Sequence, residues 1–505
     1  MEWSNVFLVL LIILLTPLLP LVLCRKISGR HRLPPGPPGW PLLGNLLDLG
    51  SMSHRTVAEM RNKYGDFIWL RLGAINTVVI LSAKTASEFF KNHDVSFAER
   101  TITQLSRVYD YHKGSLALAP YGSYWRVLRK LVTTDMLVMK RINETASIRR
   151  KCRDKLLFWI EDEAKKMKDG EGVNVAHFVF LTTFNLLGNL MLSRDLLDPN
   201  SKDGPEFYAA MIGLMECSGQ GNLADAFPWL RWLDLQGLKR KMKRDVGKGI
   251  EIASKFVKER MNERKMGFDK KQKDFLDVLL DFEGNEKDEP TKFSDHELNV
   301  IILELFMAGT DTTSSTIEWA LSELLLKPET MKKAKEELTK VIGKNRKFEE
   351  NDVQNLPYLQ AVVKETLRLH APLPFLVPRR AMNDVSFMGY FIPKNTQMVV
   401  NAWAIGRDPD VWDEPLCFKP ERFLDSNIDY KGQHYELIPF GAGRRMCAGV
   451  PLAYRVLHLL LGSLLHQFDW ELDASVSRET MDMSDRLGLV IRKFKPLLAV
   501  PSKCI

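Results

Sequence analysis

Cysteine is scarce in this chain. Six cysteines stand in 505 residues, at positions 24, 152, 217, 417, 447 and 504. None forms a CxxC or a paired spacing, which excludes a disulfide scaffold and reads as a chain facing a reducing compartment. There is no P-loop, no HExxH and no GxSxG. The stretch Gly441-Ala-Gly443 does not complete GxGxxG, because position 446 is Met. Internal repeats and low-complexity tracts are also missing. The basic residues are scattered, with no zinc-finger, RNP or basic-zipper pattern, so nucleic acid is excluded as a partner. The net charge of +8 is then either a solvated basic surface or an attraction for an acidic partner or an anionic membrane. With 45% hydrophobic and 27% charged residues, the composition is that of a globular protein. Length alone suggests about three domains, yet no linker after residue 41 supports such a split.

A long apolar run opens the chain. Residues 6–23, VFLVLLIILLTPLLPLVL, carry no charge and are just long enough to cross a bilayer core. Arg25, Lys26, Arg30 and Arg32 follow at once, against only Glu2 and the amino terminus before. The positive-inside rule puts the bulk of the chain in the cytosol. A cleaved signal peptide would need basic residues before the core and a small-residue cleavage site; neither is present. The sequon Asn143-Glu144-Thr145 should accordingly stay unmodified. The stretch LPPGPPGWP, 33–41, cannot be helix or central strand and reads as a stiff spacer. The expected division is 1–24 anchor, 25–41 basic and proline-rich hinge, and 42–505 catalytic body.

The body reads as mainly α with a smaller β portion. Strands are expected at 67–72, 77–81, 385–388 and 397–401. Helices are expected at 150–168, 248–264, 329–341, 356–370 and 449–467. Ser294 and Glu297 form a capping box, and the helix they open continues to about Leu326, roughly 50 Å. Methionine and aromatic stripes at helical spacing are read as core.

One cysteine has unusual surroundings. In PFGAGRRMCAG, Cys447 lies between glycines, beside arginines, just before a helix. This suits a metal-bound thiolate, whose pKa is lowered by positive charge, the metal and a helix N-terminus. Gly443 and Gly449 would permit close backbone approach and unusual φ. Arg445 can bind a carboxylate in a bidentate way, and Phe440 can shield the sulfur from water. Ala308-Gly309-Thr310-Asp311-Thr312-Thr313 places poor helix formers in the middle of the long helix. That is either a tight helix crossing or a functional groove. Glu365 and Arg368 stand at i and i+3, a spacing usually seen in surface salt bridges.

These motifs resemble those of the cytochromes P-450. The cysteine loop matches FxxGxRxCxG, the haem-binding signature, and ETLR, PERF, WRVLR and AGTDTT match further family patterns in order. The hinge, NAWAIGRDP and GQHYELIPFGAGRRMC look most like the seventy-six family of plant A-type microsomal members. The resemblance implies haem b with Cys447 as axial ligand of the iron, and O2 as co-substrate. It implies NADPH acting through a membrane-bound NADPH–cytochrome P-450 reductase, which would dock on the basic face near Cys447. Gly309 would leave room over the iron, Thr312 would stand beside the oxygen site, and Asp311 would relay protons. Trp125, Arg129, Arg445 and Arg379 would reach the haem propionates. Glu365, Arg368 and Arg422 would be structural. The implied place is the endoplasmic reticulum membrane, single-pass, with the body cytosolic.

The implied activity is monooxygenation of a small lipophilic substrate, a terpenoid by this likeness. Monoterpenoid or iridoid alcohols come first, diterpenoids second, and alkaloids or phenolics third. Pocket walls are expected at 101–118, 222–235, 301–309, 371–377 and 486–489. His370-Ala371-Pro372 departs from the usual His-Pro-Pro beside that pocket. Phe227-Pro-Trp-Leu-Arg-Trp232 is either a membrane-dipping loop or core, and the basic run 239–244 is a solvated helix face. A haem-thiolate enzyme that rearranges substrate without O2, and a non-enzymatic haem sensor, are the alternatives.

Overall fold

The computed structural model describes residues 32–199, 205–267, 273–284 and 287–504. The expected anchor and the first part of the hinge lie outside these residues. We label helices of seven or more residues. In chain order they are α1 (Ser53–Glu59), α2 (Ala83–Asn92), α3 (Ser123–Leu131), α4 (Ala146–Ala164), α5 (Val175–Leu192) and α6 (Pro205–Ser218). Then come α7 (Leu238–Lys265), α8 (Phe275–Asp281), α9 (Asp295–Leu326), α10 (Pro328–Ile342), α11 (Pro357–Leu369) and α12 (Val450–Gln467). The strands are β1 (Phe67–Leu72), β2 (Ile75–Ile80), β3 (Glu99–Arg100), β4 (Val173–Asn174), β5 (Arg379–Arg380) and β6 (Val385–Phe387). They continue with β7 (Tyr390–Ile392), β8 (Gln397–Val400), β9 (Phe468–Leu472), β10 (Asp485–Arg486), β11 (Arg492–Lys493) and β12 (Leu498–Lys503).

The central helix α9 organises the body. Its N-terminus is fixed by the reciprocal capping box of Ser294 and Glu297, and it runs 32 residues. It packs against α5, α7 and α12. Because helices surround it, α9 is buried along most of its length, and its buried residues include acids and hydroxyls as well as apolar side chains. Its hydroxyl residues remain helical by bonding back one turn: Thr312 Oγ1 to Ala308 O, Thr313 Oγ1 to Gly309 O, and Thr316 Oγ1 to Thr312 O, each 2.8 Å. Among the described residues α5 alone is long and apolar enough to cross a bilayer, but 78% of it is buried. It is a core helix.

A five-stranded sheet of order β1-β2-β8-β5-β3 lies to one side, with β2 and β8 parallel and the other neighbours antiparallel. A second sheet, β4-β12-β9, joins residues more than 300 positions apart. The hairpin β10–β11 stands by itself. The proline-rich stretch corrects one expectation. It is not a free spacer from Pro35 onward, because Trp69 N–H donates to Pro35 O at 2.7 Å. A β-carbon on Gly36 would lie 1.9 Å from Trp69 O, so backbone docks on backbone here.

Candidate active site

The loop before α12 is built by two left-handed glycines. Gly441 and Gly443 have φ of 70° and 69°. A β-carbon at Gly443 would sit 2.2 Å from Asp94 Oδ1, so position 443 needs glycine for both conformation and space. Gly449 departs from expectation. Its φ of −77° is ordinary helix backbone, and a β-carbon there would make a normal 3.5 Å contact with Cys447 Sγ. What Gly449 supplies is its N–H, which donates to Cys447 Sγ at 3.3 Å. Phe440 closes the loop, its carbonyl accepting from Cys447 N–H at 3.0 Å. Its ring lies against Tyr430.

Cys447 is deep in the protein, yet its surface is open, as expected for a side chain facing an internal cleft. Burial pushes the thiol up; the Gly449 N–H, the Arg129 charge and the Val450 N–H pull it down. The protein's own groups therefore only partly offset burial, and a bound metal cation would add the larger pull toward thiolate.

Cations gather beside this loop. Arg445 Nε donates to Ala98 O at 3.0 Å and its Nη2 to Ala119 O at 2.7 Å. Its Nη1 is buried with no partner. Burial lowers Arg445 to about 10. The Arg129 guanidinium has no hydrogen-bond or ion-pair partner among the described residues, and burial lowers it while Cys447 raises it. Trp125 differs from its expected role. Its indole N–H donates to Leu116 O at 3.0 Å, and its ring lies 4.2 Å from the Arg445 guanidinium. Arg379 is likewise engaged, through Asp94 Oδ1 at 2.6 Å and Ala442 O at 2.9 Å.

Sequence reasoning missed two residues of this cluster. Asp94 holds Arg379 and also accepts from Arg444 N–H at 3.0 Å. Arg100, in β3, bonds Ala117 O at 2.8 Å and Val377 O at 2.5 Å, joining two expected pocket walls. Burial, then Arg379 and Arg445, hold Arg100 well below its ordinary value. Neither residue sits in a motif with chemistry of its own, so nothing in the sequence marked them. Cations in excess, buried Arg445 with an orphaned donor and half-buried Arg129 with an unpaired guanidinium, fit a haem whose carboxylates need partners.

The central helix has an open face of its own. Leu305, Ala308, Gly309 and Thr312 recur at i, i+3, i+4 and i+7 and are less buried than their neighbours. Gly309 also meets a neighbouring helix. A β-carbon there would lie 2.9 Å from Leu187 Cδ1, so this glycine serves the crossing with α5. Asp311 is buried and ion-paired with Arg492 of β11. Glu304 accepts from Ser115 Oγ and from Leu116 N–H, tying the 115–118 wall to the helix.

Two further motifs have defined places. Arg368 makes a two-pronged bond to Glu365, both contacts 2.7 Å, and Arg422 Nε reaches Glu365 Oε1 at 3.1 Å. This is a buried triad and not a surface bridge. His370, expected beside the pocket, instead stacks on Trp319 at 4.0 Å and bonds Glu323 at 2.7 Å, so it secures α11 to α9. A surface groove of about 940 Å³ beside Met331 and Trp470 contains none of these residues.

A helical body crossed by one long helix, with an N–H-bonded cysteine at the mouth of another and buried arginines around it, defines the haem-thiolate class. The chain belongs to the cytochrome P450 family, whose model, "Cytochrome P450", matches residues 34–498. It is 53% identical to cytochrome P450 76A2 of Solanum melongena over 502 residues, 99% of each chain. It is 50% identical to iridoid oxidase of Catharanthus roseus, covering 95% of this chain and 93% of the relative. A solved zebrafish cytochrome P450 with progesterone superimposes with a TM-score of 0.75 at 25% identity, covering 89% of this chain and 99% of that one. The chain is an oxidoreductase of the monooxygenase type.

Proposed function

We propose that this chain oxidises a lipophilic terpenoid at the membrane, drawing electrons from NADPH through a reductase. The observation that carries the site is the Gly449 N–H donated to Cys447 Sγ at 3.3 Å, beside the unpaired Arg129. Cys447 holds the haem iron, with Arg445 and Arg129 as carboxylate partners. The haem supplies the oxidising chemistry when bound. The residues orient and insulate it. Thr312, on the more accessible face of α9, and the buried Asp311 next to it in the chain hold and hand on protons, and Gly309 brings α5 close. Glu365, Arg368 and Arg422 keep the segment before the cysteine loop in place.

The substrate class rests on relatives. Iridoid oxidase and geraniol 8-hydroxylase of Catharanthus roseus are 50% and 41% identical. Monoterpenoid and iridoid alcohols therefore stand first, with diterpenoids second. Residues 1–24 are read as a single-pass anchor in the endoplasmic reticulum, with 25–41 as the hinge and 42–505 as the catalytic part. The Trp232 loop supports a membrane face: Trp232 is 80% and Trp229 56% exposed, which core packing does not allow. Ala226 O accepts from Ala74 N–H at 2.8 Å, so this loop adjoins the β1–β2 turn on the side where residues 36–45 dock. Arg126, Lys130 and Arg444 are exposed and offer a basic surface to the reductase.

Membranes holding this chain and a reductase, given a terpenoid panel under ¹⁸O2, test the reading. Label entering one product in an NADPH-dependent way supports it. Turnover without NADPH and without label would move the chain to the rearranging class.

A further inference from the structure

Asp311 is met by a charge from outside its own helix. Arg492, on β11, is ion-paired with Asp311 Oδ1. The Asp311 side chain is 2% exposed and that of Arg492 28%, so Arg492 is the partner with access to water. The strand is fastened to α9 on both sides of the pair. Ser315 Oγ donates to Ile491 O at 2.7 Å, and Leu497 N–H donates to Glu318 Oε1 at 2.9 Å. Ile491 N–H also donates to Pro372 O at 2.8 Å. The hairpin's other edge meets α6. Arg486 pairs with Glu216 at 3.4 Å, and Arg492 Nη2 lies 3.8 Å from Met215 Sδ.

We propose that Arg492 is a positioning residue for proton delivery, holding the Asp311 carboxylate in place and opening it to water between the β10–β11 hairpin and α6. This rests on the reading of Asp311 as the residue that hands on protons. The groups facing the carboxylate are few. Burial pushes Asp311 up, while Arg492 and, more distantly, Arg486 pull it down. Glu318, two turns along α9, is also raised by burial, and Lys493 and Arg492 offset part of that. Glu216 balances Arg486. Without Arg492, Asp311 keeps its proton to higher pH and becomes a weaker acid, which slows transfer.

The test uses the full chain as Arg492→Gln and Arg492→Lys, with Asp311→Asn as reference. One readout is independent of turnover: the infrared carboxylic C=O band of Asp311, isolated by subtraction of Asp311→Asn, followed against pH. The other is product formed per NADPH consumed, with its solvent isotope effect. In Arg492→Gln the band persists about one pH unit higher, and product per NADPH falls about tenfold. Substrate affinity by spectral titration stays within about twofold, and Arg492→Lys restores both readouts to within about threefold. Arg492→Met takes the place of the glutamine variant if that one does not fold. If Arg492→Gln titrates and couples like the unaltered chain while Asp311→Asn loses coupling, the role of Arg492 is refuted and that of Asp311 stands. Failure of Arg492→Lys to restore either readout also refutes it. If Asp311→Asn couples normally, both readings fall.

Discussion

Glu365→Gln keeps the shape of a side chain and removes its charge at the most heavily buried ion pair among the described residues. Glu365 and Arg368 have fully buried side chains. Glu365 accepts from Arg368 Nε and Nη2, from Arg422 Nε, and from Lys419 N–H at 2.7 Å. The remaining Arg368 donors go to Gly406 O at 2.5 Å, Pro415 O at 2.7 Å and Cys417 O at 3.0 Å. The variant thus leaves the Arg368 cation buried against carbonyls alone, and Arg422 loses its only carboxylate. Breaking a buried pair from one side costs about 3–5 kcal/mol. In a chain of this size that lowers the thermal midpoint by about 5 °C. Because Arg368 and Arg422 hold segments leading into the cysteine loop, haem content per chain falls as well. Arg368→Lys loses part of the same network, since an ammonium has three donors and cannot bind Glu365 in a fork. Differential scanning fluorimetry and haem quantitation on the purified chain check both. A midpoint moved by less than about 1 °C, with full haem content, would refute the account of this triad.

Gly443→Ala should lose haem and about 1–3 kcal/mol of stability, from the left-handed backbone and the clash with Asp94. Gly449→Ala should fold normally, because its φ of −77° suits any residue; urea titration separates the two. His458 is buried and held down to about 4 by burial. The unfolded chain binds a proton below about pH 6.5 while the folded chain does not, so stability falls as pH drops through that window. Its share is about 2 kcal/mol between about pH 7 and pH 5, and His458→Gln should flatten this part of the slope in urea midpoints. Trp232, if it meets lipid, should be quenched by acyl-chain quenchers, and Trp232→Phe should remove that quenched component from the emission.

Much of the fold was legible wherever one local signal decided the outcome. The Ser294–Glu297 capping box and an apolar run ending near Leu326 specify α9 within a residue of its observed ends. The strand at 67–72 followed from its β-branched and aromatic content, and Phe67–Leu72 is observed. The glycine and arginine pattern around position 447 marked the loop. What could not be read depends on chain segments that meet only in three dimensions. Asp94, Arg100 and Arg492 are ordinary charged residues in ordinary surroundings along the chain, and each gains meaning from a partner far away in the sequence. The docking of Pro35 on Trp69 was hidden for the same reason, since a proline-rich stretch reads alike whether free or docked. Gly309 is a related case: its motif suggested a tight helix crossing or an open groove, and only the fold shows that Leu187 of a different helix packs against it.

The central claim is that the sulfur of Cys447 holds the haem iron as a thiolate. Its most direct measurement is the Soret band of the reduced carbon monoxide complex of purified Cys447→Ser. The account predicts loss of the long-wavelength band given by the unaltered chain, together with loss of turnover. A serine variant that kept that band and still formed product would contradict it.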